Sequence, residues 1–251
     1  MMDSDYYFVK PSNVNKDELI LIDAEAHHIQ NVIRKHEGDS IMAVNGDGVA
    51  YKTVIENIQE NSVLCSIVNT IEGLNEPSFK LTLGIGLLKS SHLEDSLNSC
   101  IQLGISELIP LICNRSIKKN INLQRFEAIS MTAMKQSGRC TRTLIHQPVS
   151  IEDLLTMTAD YQLKLISMLG ESPPLLYNLM RKMNGEKFEN GVILVGPEGD
   201  FTEEEITFVL ENGFKPVSLG KRRLRSETAA SAAVSIIMSH FEEGDMRYDL
   251  N

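Results

Sequence analysis

At 251 residues, 42% hydrophobic and 23% charged, the chain has an ordinary globular composition with room for one large or two modest cores. No apolar run approaches the roughly 20 residues that span a bilayer, and the start Met1-Met2-Asp3-Ser4-Asp5 is acidic rather than signal-like, so a cytoplasmic protein that meets no membrane is expected. The net charge of −10 argues superficially against nucleic acid, but it is uneven: residues 1–75 hold 5 Lys and Arg against 12 Asp and Glu, and the rest hold 19 against 22.

Short strands open the chain. Tyr6–Val9, Leu19–Ile22, Ser40–Asn45, Val49–Ile58 and Val63–Asn69 read as β, with one helix near Ala24–Lys35 and hairpin turns at Asn45-Gly46-Asp47-Gly48 and Gln59-Glu60-Asn61. Residues 1–73 are therefore expected to form a small β-barrel. A linker over 74–78, containing Asn75-Glu76-Pro77, precedes a second domain over 79–251.

From there strands alternate with helices: Leu81–Leu88, a helix at Ser91–Leu103, Glu107–Ile112, a helix at Leu123–Gln136, Gln162–Met168 and a helix at Pro174–Lys182. Such alternation predicts an α/β domain with a mostly parallel sheet and helices on both faces. Gly84-Ile85-Gly86-Leu87-Leu88-Lys89-Ser90 imitates a phosphate loop, but Leu88 stands where the Gly before the Lys is required, so nucleoside triphosphate binding is rejected. Cys65, Cys100, Cys113 and Cys140 lack metal-like pairing and the six His residues form no ligand pattern, so free thiols are expected, with no metal and no disulfide.

The last units carry the chemistry. The strand Val192–Val195 feeds Gly196-Pro197-Glu198-Gly199-Asp200-Phe201, and Pro216–Leu219 feeds Gly220-Lys221-Arg222-Arg223-Leu224-Arg225-Ser226-Glu227. Ligands of open α/β sheets bind at such strand ends. Gly196 and Gly199 are expected to allow backbone conformations that a Cβ forbids, with Pro197 stiffening the turn. Thr202 and Glu205 have the spacing of a capping box, and Ser226 is expected to cap the last helix. That helix is rich in small residues from Thr228 to Ala233, which suits close approach of another backbone.

Together these loops resemble the knotted SPOUT methyltransferases, and within them the bacterial family that methylates N3 of a uridine in 16S ribosomal RNA. The segments Gln102-Leu103-Gly104-Ile105, Arg115-Ser116 and Gln136-Ser137-Gly138-Arg139 also resemble that family, although Gln102 and Lys135 stand where Glu is common. The resemblance implies a PUA-like first domain that docks RNA and a deep trefoil knot in the second. Periodicity alone would predict a plain doubly wound domain. It implies S-adenosyl-L-methionine as cofactor, held by Leu169 and Gly170, by Gly196, Pro197, Glu198 and Gly199, and by Leu219, Gly220, Leu224 and Arg225.

It also implies 16S rRNA within the small ribosomal subunit as partner, and a homodimer built on the last helix. Arg139 and Arg225 are the expected catalytic cations, with Glu198 and Glu227 as candidate proton acceptors. Arg115, Lys118, Lys135, Arg139, Arg142, Arg222 and Arg223 are the expected RNA contacts. Two competing readings stay open: a noncatalytic RNA-binding or ribosome-assembly factor, and a methyltransferase of the same superfamily acting on tRNA.

Overall fold

The computed structural model describes residues 6–116, 119–169, 173–183 and 185–242. The chain divides into two compact units: residues up to Glu76 joined by Met131–Arg142, and Pro77–Ser130 joined by the residues from Thr143 onward.

In the first unit five strands, β1 (Tyr6–Phe8), β2 (Glu18–Ile22), β3 (Ser40–Val44), β4 (Val49–Gln59) and β5 (Ser62–Glu72), pair in the order β1-β3-β4-β5-β2. All the pairs are antiparallel except β1 with β3. Among the described residues the expected barrel is thus a sheet whose pairings run in a line, and register shifts at Lys52/Thr53 and Ile55/Asn57 bend its long hairpin. Alternation does the inward sorting: Leu19 and Leu21 of β2 are buried while Glu18 and Ile20 face out. Helix α1 (Asp23–His27) continues as one π-helical stretch, His28–Ile33, which ends at Arg34 in the left-handed conformation at φ 61°. Ile29 from that stretch joins Tyr7, Leu21, Ile55 and Val63 in the core.

Residues 131–142 correct the expected domain boundaries. Periodicity assigns them to the second domain with the helix they end. In the structure Met131, Met134 and Cys140 pack with Val44, Ala50 and Ile71, so burial of apolar surface places the segment in the first unit. Polar contacts secure it. The Glu76 carboxylate accepts from the Arg139 guanidinium at 2.7 Å and from the Cys140 and Thr141 amides, each at 2.9 Å. Asn75 donates to the Gly138 carbonyl at 3.0 Å.

The second unit is built on β6 (Lys80–Gly86), β7 (Glu107–Leu111), β8 (Leu144–Ile145), β9 (Leu163–Ser167), β10 (Asn190–Val195) and β11 (Lys215–Val217), in the order β11-β9-β10-β6-β7-β8. Every strand pair in this sheet is parallel. The helices are α2 (Ser90–Gln102), α3 (Leu123–Gln136), whose residues from Met131 on belong to the first unit, α4 (Ile151–Met157), α5 (Leu176–Lys182), α6 (Glu203–Glu211) and α7 (Ser226–Glu242). Ile151, Leu154, Val209 and Phe214 of α4, α6 and the loop after α6 pack over Ile109, Ile166, Val192 and Leu194 of the sheet. Helix α7 packs against β6 and β10, flanked by α2 and α5.

Helix α4 and strand β8 were not anticipated. Each is too short for periodicity to mark, and α4 is started by Ser150, whose hydroxyl accepts from the Asp153 amide at 3.1 Å. All four cysteines are free and buried. Burial pushes the Cys65 thiol up to about 11 and those of Cys100 and Cys113 up to about 12, so they behave as inert core groups.

Candidate active site

The loop after β10 is shaped by a chain reversal. The Asp200 amide donates to the Pro197 carbonyl at 2.8 Å, and Asp200 itself takes the left-handed conformation at φ 62°, which Asp tolerates better than most residues. Its side chain accepts from the Phe201 amide at 2.9 Å. Gly196 sits inside this reversal, where a Cβ would stand 2.8 Å from the Asp200 carboxylate and 3.2 Å from the Phe201 nitrogen. Phe201 is buried in the core and pins the loop.

Neither Gly196 nor Gly199 has a positive φ, which corrects the expected reason for them. Both sit at close approaches. A Cβ on Gly199 would lie 3.1 Å from the Arg115 stem. A third glycine, Gly86 at the end of β6, carries no such signal in the sequence, where it stands inside the rejected phosphate motif. A Cβ there would lie 2.4 Å from Pro197 Cδ.

Helix α6 starts as the spacing predicts. Thr202 accepts from the Glu205 amide at 3.2 Å, and the Glu205 carboxylate accepts from the Thr202 amide at 2.7 Å. The other Glu205 oxygen accepts from the Asn114 amide at 2.7 Å, tying the turn after β7 to the same loop.

In the second loop it is backbone conformation that calls for glycine. Gly220 has φ 120°, a region that residues with a Cβ rarely adopt. Ser218 supports it, accepting from the Gly220 amide at 3.2 Å. Ser226 is the first residue of α7 rather than its cap, and the Arg225 carbonyl accepts the first helical bond, from the Ala229 amide at 2.8 Å. Backbone bonds join this loop to the stretch around α5: Met168 donates to the Val217 carbonyl, Ser218 to Pro174 and Leu176 to Ser218, all at 2.9 Å.

Between these loops lies a cleft of about 610 Å³ at the carboxyl ends of β9, β10 and β11, a size suited to a small molecule. Its walls are Ser167–Leu169, Val195–Asp200 and Leu219–Ala229 in part, with His92 and Arg115 at its edge. Every expected cofactor residue in the described chain lines it; Gly170 lies outside the described residues, as does Lys118 among the expected RNA contacts.

Charge in the cleft is mixed. Arg222, Arg223 and Arg225 are exposed at its rim, the Arg225 side chain at 79%. The Glu227 side chain is 19% exposed. One of its carboxylate oxygens is buried with no partner, and the other stands 4.0 Å from Arg225. Glu198 is more open, accepting from the Lys89 amide at 3.3 Å and standing 3.9 Å from His92. His92 carried no sequence signal: nothing in the pattern of α2 marks its first turn as facing a ligand.

The other expected cations are each engaged by groups of the chain itself. Arg139 is 3% exposed and bound to Glu76, so the structure corrects its assignment as a catalytic or RNA-contacting group. Lys135 pairs with Glu25 at 2.5 Å and Arg142 with Asp47 at 3.3 Å, both within the first unit. Arg115 lines the cleft, but donates to the Gly199 and Phe201 carbonyls at 2.8 and 3.4 Å. Among the described residues no cluster of three or more His, Cys, Asp or Glu side chains is placed to hold a metal, and no helix is long and apolar enough to cross a membrane.

Comparison with known proteins joins this geometry to a family. Residues 75–238 match the RNA methyltransferase domain family, and residues 21–68 match the RNA methyltransferase PUA domain. The chain is 29% identical over 237 residues to the ribosomal RNA small subunit methyltransferase E of Synechocystis, covering 93% of this chain and 77% of that protein. It is 30% identical over 227 residues to the protein of the same name from Rickettsia conorii, covering 88% and 90%. The crystal structure of a ribosomal RNA small subunit methyltransferase E from Neisseria gonorrhoeae, bound to S-adenosyl methionine, superposes with a TM-score of 0.82 at 26% identity, covering 94% of this chain and 97% of that one. An α/β unit with an all-parallel sheet, a cleft walled by loops from its strand ends and a PUA-like unit before it place the chain in one group: it belongs to the RNA methyltransferase domain family.

Proposed function

We propose that the protein transfers a methyl group from S-adenosylmethionine to N3 of a uridine in the 16S RNA of the small ribosomal subunit. The observation that carries the reading is the cleft, whose walls are the three loop segments expected to enclose the cofactor. The residues suit that group: Gly220 has no atom within 4 Å of the place its Cβ would occupy, leaving open room beside its backbone, and the cleft volume matches a nucleoside-sized ligand. When bound, S-adenosylmethionine supplies a methyl carbon on a positively charged sulfur.

The chain's own groups then have two tasks. Holding N3 of the base in line with that carbon supplies much of the acceleration. Removing the N3 proton falls to a carboxylate of the cleft wall, Glu198 or Glu227. Arg225 at the rim meets phosphate, or the uridine oxygens as N3 loses its proton. A stacked target base has to be flipped into the cleft. In this reading the bonds linking residues 168–176 to 217–218 belong to a trefoil knot, and the protein works in the cytoplasm.

Arg225→Ala is expected to lower methyl transfer roughly tenfold or more while changing cofactor affinity little, since an exposed guanidinium contributes less than a buried donor. Parallel calorimetry and transfer assays check this; equal losses in both would show that Arg225 acts through the cofactor alone.

The reading includes a homodimer across the outer face of α7. Ala233, Val234 and Ile237 are buried within the chain itself, so Ala233→Glu would test folding rather than assembly. Ala232 and Ile236 are only partly covered. Ala232→Glu should yield a folded monomer of low activity, with light scattering as the measurement; a wild-type monomer that is fully active would remove the dimer. The function itself is tested by mapping modified uridines in 16S RNA from cells with and without the gene. Loss of one N3-methyluridine supports it, and unchanged 16S RNA with an altered tRNA or an altered assembly profile favours one of the two competing readings.

A further inference from the structure

We propose that Arg115 is a positioning residue for the cofactor loop rather than an RNA contact, an inference that rests on the cleft being the S-adenosylmethionine site. Its sequence context, a basic residue in a loop, suggests a phosphate ligand. The geometry points elsewhere. One guanidinium nitrogen donates to the Gly199 carbonyl at 2.8 Å and to the Phe201 carbonyl at 3.4 Å, spanning the reversal between them. The aliphatic stem passes so close to Gly199 that a Cβ there would lie 3.1 Å from Arg115 Cβ and 3.4 Å from Cδ. Glycine at 199 therefore suits the passage of the arginine as well as the ligand.

The base of the strut is itself fixed. Arg115 leaves from the turn after β7, where the Cys113 amide donates to the Ser116 hydroxyl at 3.1 Å and the Ser116 amide to the Cys113 carbonyl at 2.9 Å. The neighbouring Asn114 amide donates to Glu205, the residue that caps α6. Two ties thus run from one turn to the two ends of the loop 199–205: a cation on its carbonyls, and a carboxylate from its helix cap. Such a loop keeps its shape before ligand arrives, which reduces the ordering cost of binding. One terminal nitrogen, carried across by the arginine stem, serves both carbonyls.

The test uses the full-length protein with Arg115→Met and Arg115→Lys. In cofactor-free protein, amide hydrogen exchange over residues 199–205 should quicken in Arg115→Met. The Kd for S-adenosylmethionine by calorimetry, and the KM for it in transfer assays, should rise roughly tenfold, with partial recovery in Arg115→Lys. The KM for RNA and the salt slope of RNA binding should stay at wild-type values, whereas loss of a phosphate contact would lower that slope by about one. Unchanged exchange, or an unchanged cofactor Kd with a lowered salt slope, overturns the proposal. If wild-type protein fails to bind S-adenosylmethionine, the cofactor assignment falls first and this inference with it.

Discussion

Glu76→Ala is expected to cost about 3–5 kcal/mol of stability, concentrated in unfolding of the first unit, because it removes the carboxylate to which a buried guanidinium and two backbone amides donate. Arg139 is 3% exposed, and Glu76 accepts from it as well as from two backbone amides that would otherwise lack these bonds. Glu76→Gln should lose less, since one amide oxygen still serves the Cys140 and Thr141 amides. The double variant Glu76→Leu/Arg139→Met should recover part of the loss by removing both charges together. Denaturant unfolding followed by far-UV circular dichroism measures all three. A loss below about 1 kcal/mol for Glu76→Ala would show that the pair contributes no more than a surface ion pair. The same experiment bears on function: Arg139→Ala should damage the first unit's stability, so any fall in its activity would follow from lost structure.

Gly220→Val should weaken S-adenosylmethionine binding at least roughly 100-fold while the protein stays folded. The φ of 120° at this position is strained for any residue with a Cβ and more so for a β-branched one, and holding it costs of order 1–3 kcal/mol, so the loop would move to a different path instead. Nothing lies within 4 Å of the added Cβ, so the damage comes from the backbone and stays in the loop. Gly86→Ala reaches the same cleft differently: its Cβ would press on Pro197 at 2.4 Å and push the first loop outward. Calorimetry on variants with wild-type circular dichroism decides both. Full affinity in Gly220→Val would show that the ligand binds elsewhere.

What the sequence made legible was local. The two strand–loop–helix units at 190–211 and 215–242 declare themselves because glycines, a capping box and apolar strands fall together within a few residues. The open sheet follows from the alternation of periods. What stayed hidden depends on partners far apart in the chain. Arg139 looks like a basic loop residue until Glu76, 63 positions earlier, is seen beside it. Segment 131–142 continues a helix of the second unit, and only the apolar neighbours of Met134 and Cys140 place it in the first. Gly86 was read inside the wrong motif because the backbone that needs its missing Cβ, at Pro197, comes 111 residues later. The bonds of Arg115 stayed hidden for the same reason, since charge alone does not reveal that it donates to carbonyls of its own chain.

The most direct test of the account is methyl transfer by the purified protein from S-adenosylmethionine carrying a labelled methyl group, offered small ribosomal subunits lacking the modification, with the labelled nucleoside then identified. Label is expected in 16S RNA at N3 of a single uridine, and is expected to be lost in Gly220→Val. Label in tRNA, label on another atom, or no transfer by a protein that binds both cofactor and subunit would contradict it.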